Sequence, residues 1–467
     1  MPRVTLALVG AGLRGLTYAR HARDTGAGEV VAVAEPDPVR RAAAGREFGV
    51  PAHRLYTGWE ELAGRERLAD AAVVATQDRL HTAPAVRLAG LGYHLLLEKP
   101  MATEEREATA VAEAAERAGI MLAVCHVLRY TPYTRALKSL LDSGRIGRLT
   151  SVEHLEPVGW WHQAHSFVRG NWGRSDTSAP MLLTKACHDV DWLVHLVGST
   201  PRRVSSFGSL SHFRADAAPA GAAARCLDCS VEADCPYSAK RLYLGCLGDA
   251  DSEFWPLSAV TDTFTEEGVE RALRTGPYGR CVYACDNDVV DHQVVAMEFA
   301  DGATCSFTMS AFTPMGHRRT RLHGTHGFAE GDGTSIRLVD FRTGAESVVD
   351  PEITAGASAA ERGRGAGRRV PRRGRHRRRE RPGVGRGRES GEPPGRLGRG
   401  TGPPYRRGGH RRLVTRTLGA APRTGDDTGP HLQAIEVIRS RPDPAPSRSP
   451  HPSGSARSGS SLCLGVS

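Results

Sequence analysis

The chain has 467 residues, 40% of them apolar and 24% charged, enough for two domains with a sizeable core. Its net charge of +10 invites a nucleic-acid reading, but from Glu361 onward 25 arginines face 8 acids, a balance of +17 that leaves −7 for residues 1–360. The folded part is therefore mildly acidic and no nucleic-acid binder by composition. No apolar run approaches the roughly 18 residues of a spanning helix, so a membrane protein is excluded and the setting reads as cytoplasmic.

From the start to about residue 124, short β-rich runs alternate with helical stretches such as Glu104–Ala118. The runs are Val4–Val9, Val30–Ala34, Ala71–Ala75, His94–Leu97 and Met121–Val124. That order requires a parallel, doubly wound sheet, and residues 1–124 are expected to form a Rossmann domain. Directly after the first run comes Gly10-Ala11-Gly12-Leu13-Arg14-Gly15. Its first glycine permits the tight turn, the second lets backbone approach a pyrophosphate, and the third lets helix pack on strand, while the helix N-terminus supplies amides to phosphate. The second run ends at Glu35, twenty residues past Gly15, where an acid can hold the adenosine ribose hydroxyls. Glu35 would repel a 2′-phosphate and favours NAD; Arg40 and Arg41 could soften that, which leaves NADP open.

At the end of the fourth run stands Glu98-Lys99-Pro100. A lysine at the carboxyl edge of such a sheet has a stem to bury and an ammonium to place where these sheets bind ligand. It can hydrogen-bond a substrate hydroxyl as that oxygen gains charge during hydride loss, and the chain reads as a nicotinamide-dependent enzyme.

Beyond the first domain, Tyr133–Ser143 reads as helix and Leu149–Leu155, Arg203–Ser209, Val294–Phe299, Thr304–Ser310 and Arg319–Leu322 as strands. A helix is expected at about Thr184–Val197, with late strands near Ser335–Val339 and Glu346–Val349. Runs of strands with few helices predict an α+β domain over residues 125–355 with an open, mainly antiparallel sheet. On the expected helix Thr184, His188, Asp191 and His195 share a face, making His188 a candidate proton acceptor with Asp191 as a carboxylate able to orient it. Lys185 either contacts substrate or pairs with Asp189. The stretch Trp160–Trp172 mixes aromatic and hydrogen-bonding groups that suit a polyol, and His165, Arg169 and Trp172 are the substrate contacts chosen within it.

Taken together, the glycine loop, Ala75-Thr76 with His81, the Glu-Lys-Pro triplet, His126-Val-Leu-Arg129-Tyr130 and Lys185-Ala-Cys-His188-Asp-Val-Asp191 resemble the glucose-fructose oxidoreductase, inositol dehydrogenase and rhizopine-catabolism (Gfo/Idh/MocA) family over about residues 1–350. The resemblance implies an oxidoreductase moving hydride between a secondary alcohol of a sugar, cyclitol or derivative and the nicotinamide, with a homo-oligomer, dimer or tetramer, built on the open sheet. It places Lys99 beside the nicotinamide and matches His188 to the family's catalytic histidine. It adds Thr76, His81, Glu98 and Pro100 to the cofactor contacts, and Arg129, Tyr130, Thr184 and Lys185 to the substrate contacts. One departure is Thr184, where the family commonly has an aspartate four residues before that histidine. A non-catalytic NAD-binding sensor on the same fold is the alternative.

Cys226-Leu-Asp-Cys229, then Cys235, and later Cys281 and Cys285 fall within an insertion at about residues 214–288. Clustered cysteines in a cytosolic chain point to metal, and a structural zinc through Cys226, Cys229, Cys235 and Cys281 or Cys285 is expected, with an iron–sulfur cluster or unligated thiols left open. Residues 356–467 are rich in Arg, Gly and Pro and are expected to be disordered. Family members continue past about residue 355 with a glycine-rich turn and a helix, and their absence suggests a frameshift product. Nucleic-acid binding by this tail finds little support, since Tyr405 is its only aromatic residue.

Overall fold

The computed structural model describes residues 3–351, so the expectations for residues 356–467 (disorder, a frameshift, nucleic-acid binding) lie outside the described residues. Six parallel strands form the first sheet: β1 Val4–Val9, β2 Gly28–Ala34, β3 Leu55–Tyr56, β4 Ala71–Val74, β5 His94–Leu97 and β6 Leu122–Val124, in the order β3-β2-β1-β4-β5-β6. Both faces are covered, as a parallel sheet requires. Alternate residues of β1 feed opposite cores, Ala7 and Val9 joining Leu88 and Leu97 on one side and Leu8 joining Tyr18 and Val33 on the other. Strand order reverses between β1 and β4, which opens the ligand crevice at their carboxyl ends.

The second sheet has eight strands: β7 Leu149–Pro157, β8 Pro201–Ser209, β9 His292–Phe299, β10 Thr304–Ser310, β11 Arg319–Gly324, β12 Gly327–Gly331, β13 Ile336–Asp340 and β14 Glu346–Val349. Their order is β14-β13-β12-β11-β7-β10-β9-β8, antiparallel throughout except for the β7–β10 pair. One face buries Val152, Met297, Phe307 and Leu322 under Leu137 and Leu140 of helix Pro132–Asp142 and Trp192, Leu193 and Leu196 of helix Cys187–Val197. The strand period of two shows in β9, where Val295, Met297 and Phe299 are buried while Val294 and Ala296 face out. The other face stays open and carries cross-strand pairs such as Arg321 with Glu330 at 2.7 Å and Arg337 with Glu346 at 2.7 Å.

One local expectation is corrected, and further elements were not read from the sequence. The helix at Thr184–Val197 is two helices, Met181–Thr184 and Cys187–Val197, parted at Lys185 and Ala186, so Thr184 and His188 do not share one helical face. Trp160–Trp172 is an ordered helical turn, Trp160–His162 running into a π-helix at Gln163–Arg169 whose seven residues are all buried. β12, Gly-Phe-Ala-Glu-Gly, was concealed by glycines that read as turn.

The segment between β8 and β9 holds helices Ala239–Leu244, Ala250–Phe254 and Glu266–Thr275. It has its own apolar core of Tyr243, Leu257, Val269 and Leu273 with Cys226 and Cys246. Among the described residues no helix is long and apolar enough to cross a membrane.

Candidate active site

Gly10 adopts φ +91°, and a Cβ there would lie 2.5 Å from the Ala75 carbonyl oxygen. At Gly15 a Cβ would fall 2.1 Å from the Gly10 carbonyl oxygen, whereas at Gly12 it would meet nothing within 4 Å. The first and third glycines thus answer to the protein's own backbone, and the second faces open space at the N-terminus of helix Leu13–Asp24, where no side chain caps the amides. That opening fits a dinucleotide's pyrophosphate.

Glu35 is buried at the end of β2, and its carboxylate accepts the Ala11 amide at 2.8 Å and the Asp37 amide at 3.0 Å. It braces the glycine loop as well as standing where a ribose would come, with the half-exposed Arg40 4.0 Å away. Glu98 is a second brace: it accepts from Arg14 Nε at 2.8 Å, Tyr18 hydroxyl at 2.6 Å and the Lys99 amide at 2.7 Å. The Glu98 carboxylate is thereby taken up within the protein, while the Arg14 side chain stays 49% exposed. Thr76 donates its hydroxyl to the Leu80 carbonyl at 3.0 Å. His81, expected as a cofactor contact, is wholly buried, its ring nitrogens 2.7 Å from the Pro100 carbonyl and 3.1 Å from the Thr76 carbonyl. It bolts the two cofactor-side loops together.

Lys99 leaves β5 toward the second domain and donates from Nζ to the Thr184 carbonyl at 2.9 Å. The Trp172 ring centroid lies 5.9 Å from the same nitrogen. This contact brings the lysine to the segment that also carries Lys185 and His188. His188 is neutral at ordinary pH: burial first, then the nearby charges of Lys99 and Arg318, push it down to about 2. Its Nδ1 is buried with no hydrogen-bond partner, as are the Thr184 hydroxyl and His126 Nδ1. Unpaired buried polar atoms carry a desolvation cost that a bound partner would relieve. His126 stands edge to face with His188, ring centroids 5.8 Å apart.

The partners expected from sequence spacing are rearranged. Asp191 does not orient His188; both its oxygens take the Arg129 guanidinium, one at 2.7 Å from Nε. Arg129 is thereby spent in a bidentate pair, while Tyr130 is exposed beside it. Lys185 pairs with Glu156 at 2.9 Å rather than with Asp189. Asp189, fully buried, is held by Arg318 and by His154 Nε2 at 3.1 Å. Arg318 also reaches Glu156 at 2.9 Å. Burial alone would raise the Asp189 carboxyl, but Arg318 and His154 hold it well below the carboxylate range. Two cations and two carboxylates thus cancel under the site. None of Glu156, His154 and Arg318 was picked from sequence. The signal was present: His154 and Glu156 lie at the inward parity of β7, where an apolar residue is the default.

His165 and Arg169 do not face the cleft. His165 donates or accepts at 2.8 Å with the Tyr243 hydroxyl and stacks on Tyr278 at 4.9 Å. Arg169 gives Nε to the Arg280 carbonyl at 2.7 Å and Nη2 to the Tyr237 carbonyl at 2.8 Å. Both are turned into the insertion because the π-helix buries them. His162, not chosen from sequence, is nearer the chemistry, its imidazole pushed down to about 3 by burial and then by Lys185.

The structural zinc is corrected as well. Cys226, Cys229, Cys235 and Cys281 border one small cavity of about 20 Å³, yet among the described residues no three His, Cys, Asp or Glu side chains are placed to hold a metal ion. Cys226 Sγ accepts from Arg169 Nη2 and the Ala239 amide, each at 3.5 Å, and Cys285 donates to the Cys281 carbonyl at 3.2 Å. The nine described cysteines form no disulfide, and the insertion has apolar clusters of its own.

A dinucleotide-type parallel sheet whose lysine edge is met by an open-sheet second domain is the architecture of a two-domain, nucleotide-dependent oxidoreductase. The chain belongs to the Gfo/Idh/MocA oxidoreductase family: residues 4–126 match its NAD-binding Rossmann fold and residues 138–350 its C-terminal alpha/beta domain. YteT of Bacillus subtilis is 26% identical over 313 residues, covering 65% of this chain and 70% of that protein. The 1,5-anhydro-D-fructose reductase of Ensifer adhaerens is 30% identical over 186 residues, 38% of this chain and 52% of its own length. Against several such relatives the chain thus matches only about half their length. Among solved structures, a levoglucosan dehydrogenase complexed with NADH and levoglucosan has the same fold, with a TM-score of 0.53 at 19% identity over 75% of this chain and 80% of that one.

Proposed function

We propose that the chain transfers hydride between the nicotinamide of NAD and a secondary alcohol of a neutral sugar, anhydrosugar or cyclitol. The observation that carries this is the Lys99–Thr184 bond, which sets the first domain's only lysine against the segment bearing His188. Bound NAD supplies the hydride acceptor. Lys99 donates to the substrate hydroxyl and stabilises its oxygen as charge develops. His188 is the residue to which we assign acceptance of the hydroxyl proton as the hydride departs and its return in the reverse direction; its burial beside Lys99 opposes charging of the ring in the empty site. The Trp172 ring, its centroid 5.9 Å from Lys99 Nζ, shields one side of the ammonium. Glu35 at the end of β2 supports NAD over NADP, since a buried carboxylate opposes a 2′-phosphate.

Charge supports a neutral substrate. Lys185 and Arg318 are matched by Glu156 and Asp189, and Arg129 by Asp191, so these three cations are spent within the protein rather than offered to a substrate carboxylate. The relatives named for 1,5-anhydro-D-fructose and levoglucosan lend the substrate class further support. A homo-oligomer, dimer or tetramer, belongs to the same proposal, checked by light scattering. The test of function is a screen of neutral sugars, anhydrosugars, cyclitols and uronic acids for NAD reduction at 340 nm. Turnover on a neutral member is expected; turnover on uronic acids alone contradicts the substrate class.

A further inference from the structure

Asp78 opens the short turn Asp78–Leu80 that follows β4, and it reaches across to the second domain. Its Oδ2 accepts the Trp172 indole N–H at 3.0 Å and lies 3.5 Å from the Ser178 hydroxyl. An indole has one donor, so this bond fixes the rotation of the ring. The face so fixed is the one whose centroid lies 5.9 Å from Lys99 Nζ, within the distance at which an aromatic ring attracts a cation. The ammonium's hydrogen bond goes to the Thr184 carbonyl at 2.9 Å on another side. A lysine has four rotatable methylenes and no planar fork to orient it, so holding Nζ in one place takes more than a single hydrogen bond.

We propose that Asp78 is a positioning residue for Lys99, acting through Trp172. The carboxylate anchors the indole, the indole face and the Thr184 carbonyl confine the ammonium, and its remaining N–H groups are left directed at an incoming hydroxyl. The inference rests on the proposed function only for its effect on turnover, because Lys99 itself can be read directly. The neighbouring Arg79 crosses the same seam by donating to the Ser178 carbonyl at 3.0 Å and the Ser175 carbonyl at 3.3 Å, without touching Trp172. It therefore separates positioning of Lys99 from general adhesion of the two domains.

The test is competitive reductive methylation of the full chain, read by peptide mass spectrometry. The chain has four lysines, Lys99, Lys138, Lys185 and Lys240, so each is resolved, and the exposed Lys240 serves as reference. Asp78→Ala should raise the labelling rate of Lys99 relative to Lys240 about fivefold, the factor matching loss of a contact worth about 1 kcal/mol. Asp78→Asn, whose carbonyl still accepts the indole N–H, should restore the wild-type rate, and Arg79→Ala should leave it unchanged. Should Asp78→Ala fail to fold, Trp172→Phe keeps a ring but loses the N–H and should raise the rate likewise. Unchanged Lys99 labelling in the variants that cut the Asp78–Trp172 bond overturns the inference, as does an equal rise in Arg79→Ala. If labelling is unchanged while Lys99→Ala still abolishes turnover, this inference fails and the proposed function stands.

Discussion

Lys99 and Thr184 are joined by a 2.9 Å hydrogen bond between residues 85 positions apart, one at the carboxyl end of a parallel strand and the other at the end of a short helix of the second domain. The proposed catalytic constellation is therefore assembled between domains, by a backbone carbonyl. The side chain at 184 does not make this contact, so replacing the family's usual aspartate by threonine leaves the anchor of Lys99 intact.

The glycine loop gives two contrasting outcomes. Gly12→Ala adds a methyl group to open space, so thermal stability should hold while NAD affinity falls about tenfold, because the pyrophosphate loses its approach. Gly15→Ala drives a Cβ to within 2.1 Å of the Gly10 carbonyl oxygen and should cost about 2 kcal/mol or more of folding stability. Calorimetric titration with NAD and urea unfolding check the pair.

Glu156 is buried between Lys185 and Arg318, so Glu156→Ala leaves two cations facing each other around a lost carboxylate. A loss of about 3 kcal/mol is expected in urea unfolding. Adding Lys185→Met should recover part of it, since one uncompensated charge is then removed.

Acid should destabilise the fold through its histidines. Burial pushes His188 down to about 2, His162 to about 3 and His165 to about 4, whereas in the unfolded chain each takes up a proton near pH 6.5. Between those limits the unfolded state binds more protons, so stability is full above pH 6.5 and is lost as pH falls below it. The slope is up to about 1.4 kcal/mol per pH unit for each histidine. Urea unfolding at a series of pH values between 8 and 4.5 should show the decline, and His165→Gln should flatten it by one histidine's share.

The first sheet was legible where β1, β2, β4 and β5 are apolar runs of strand length, a pattern set by local sequence, whereas the two-residue β3 was too short to show one. The site was legible only where chemistry is local, as in the glycine loop and Lys99. Spacing along a helix suggested Asp191 for His188 and Asp189 for Lys185; the break at Lys185 and Ala186 parts the second pair, sending Lys185 to Glu156 and Asp189 to Arg318, while within one helix Asp191 is drawn to the distant Arg129. His165 and Arg169 failed for another reason: a π-helical turn buries every residue, so a polar composition there did not mean a polar surface. The cysteines were grouped correctly around one cavity, but spacing carries no information on whether their thiols converge.

The central claim is that Lys99 holds the reacting hydroxyl, and one measurement addresses it most directly. On the sugar, anhydrosugar or cyclitol found active in the screen, kcat for NAD reduction is compared between the wild-type chain and Lys99→Ala, with NAD affinity determined alongside. The account predicts a fall of about a thousandfold in kcat with the NAD dissociation constant little changed. Undiminished turnover in the Lys99→Ala variant would contradict it.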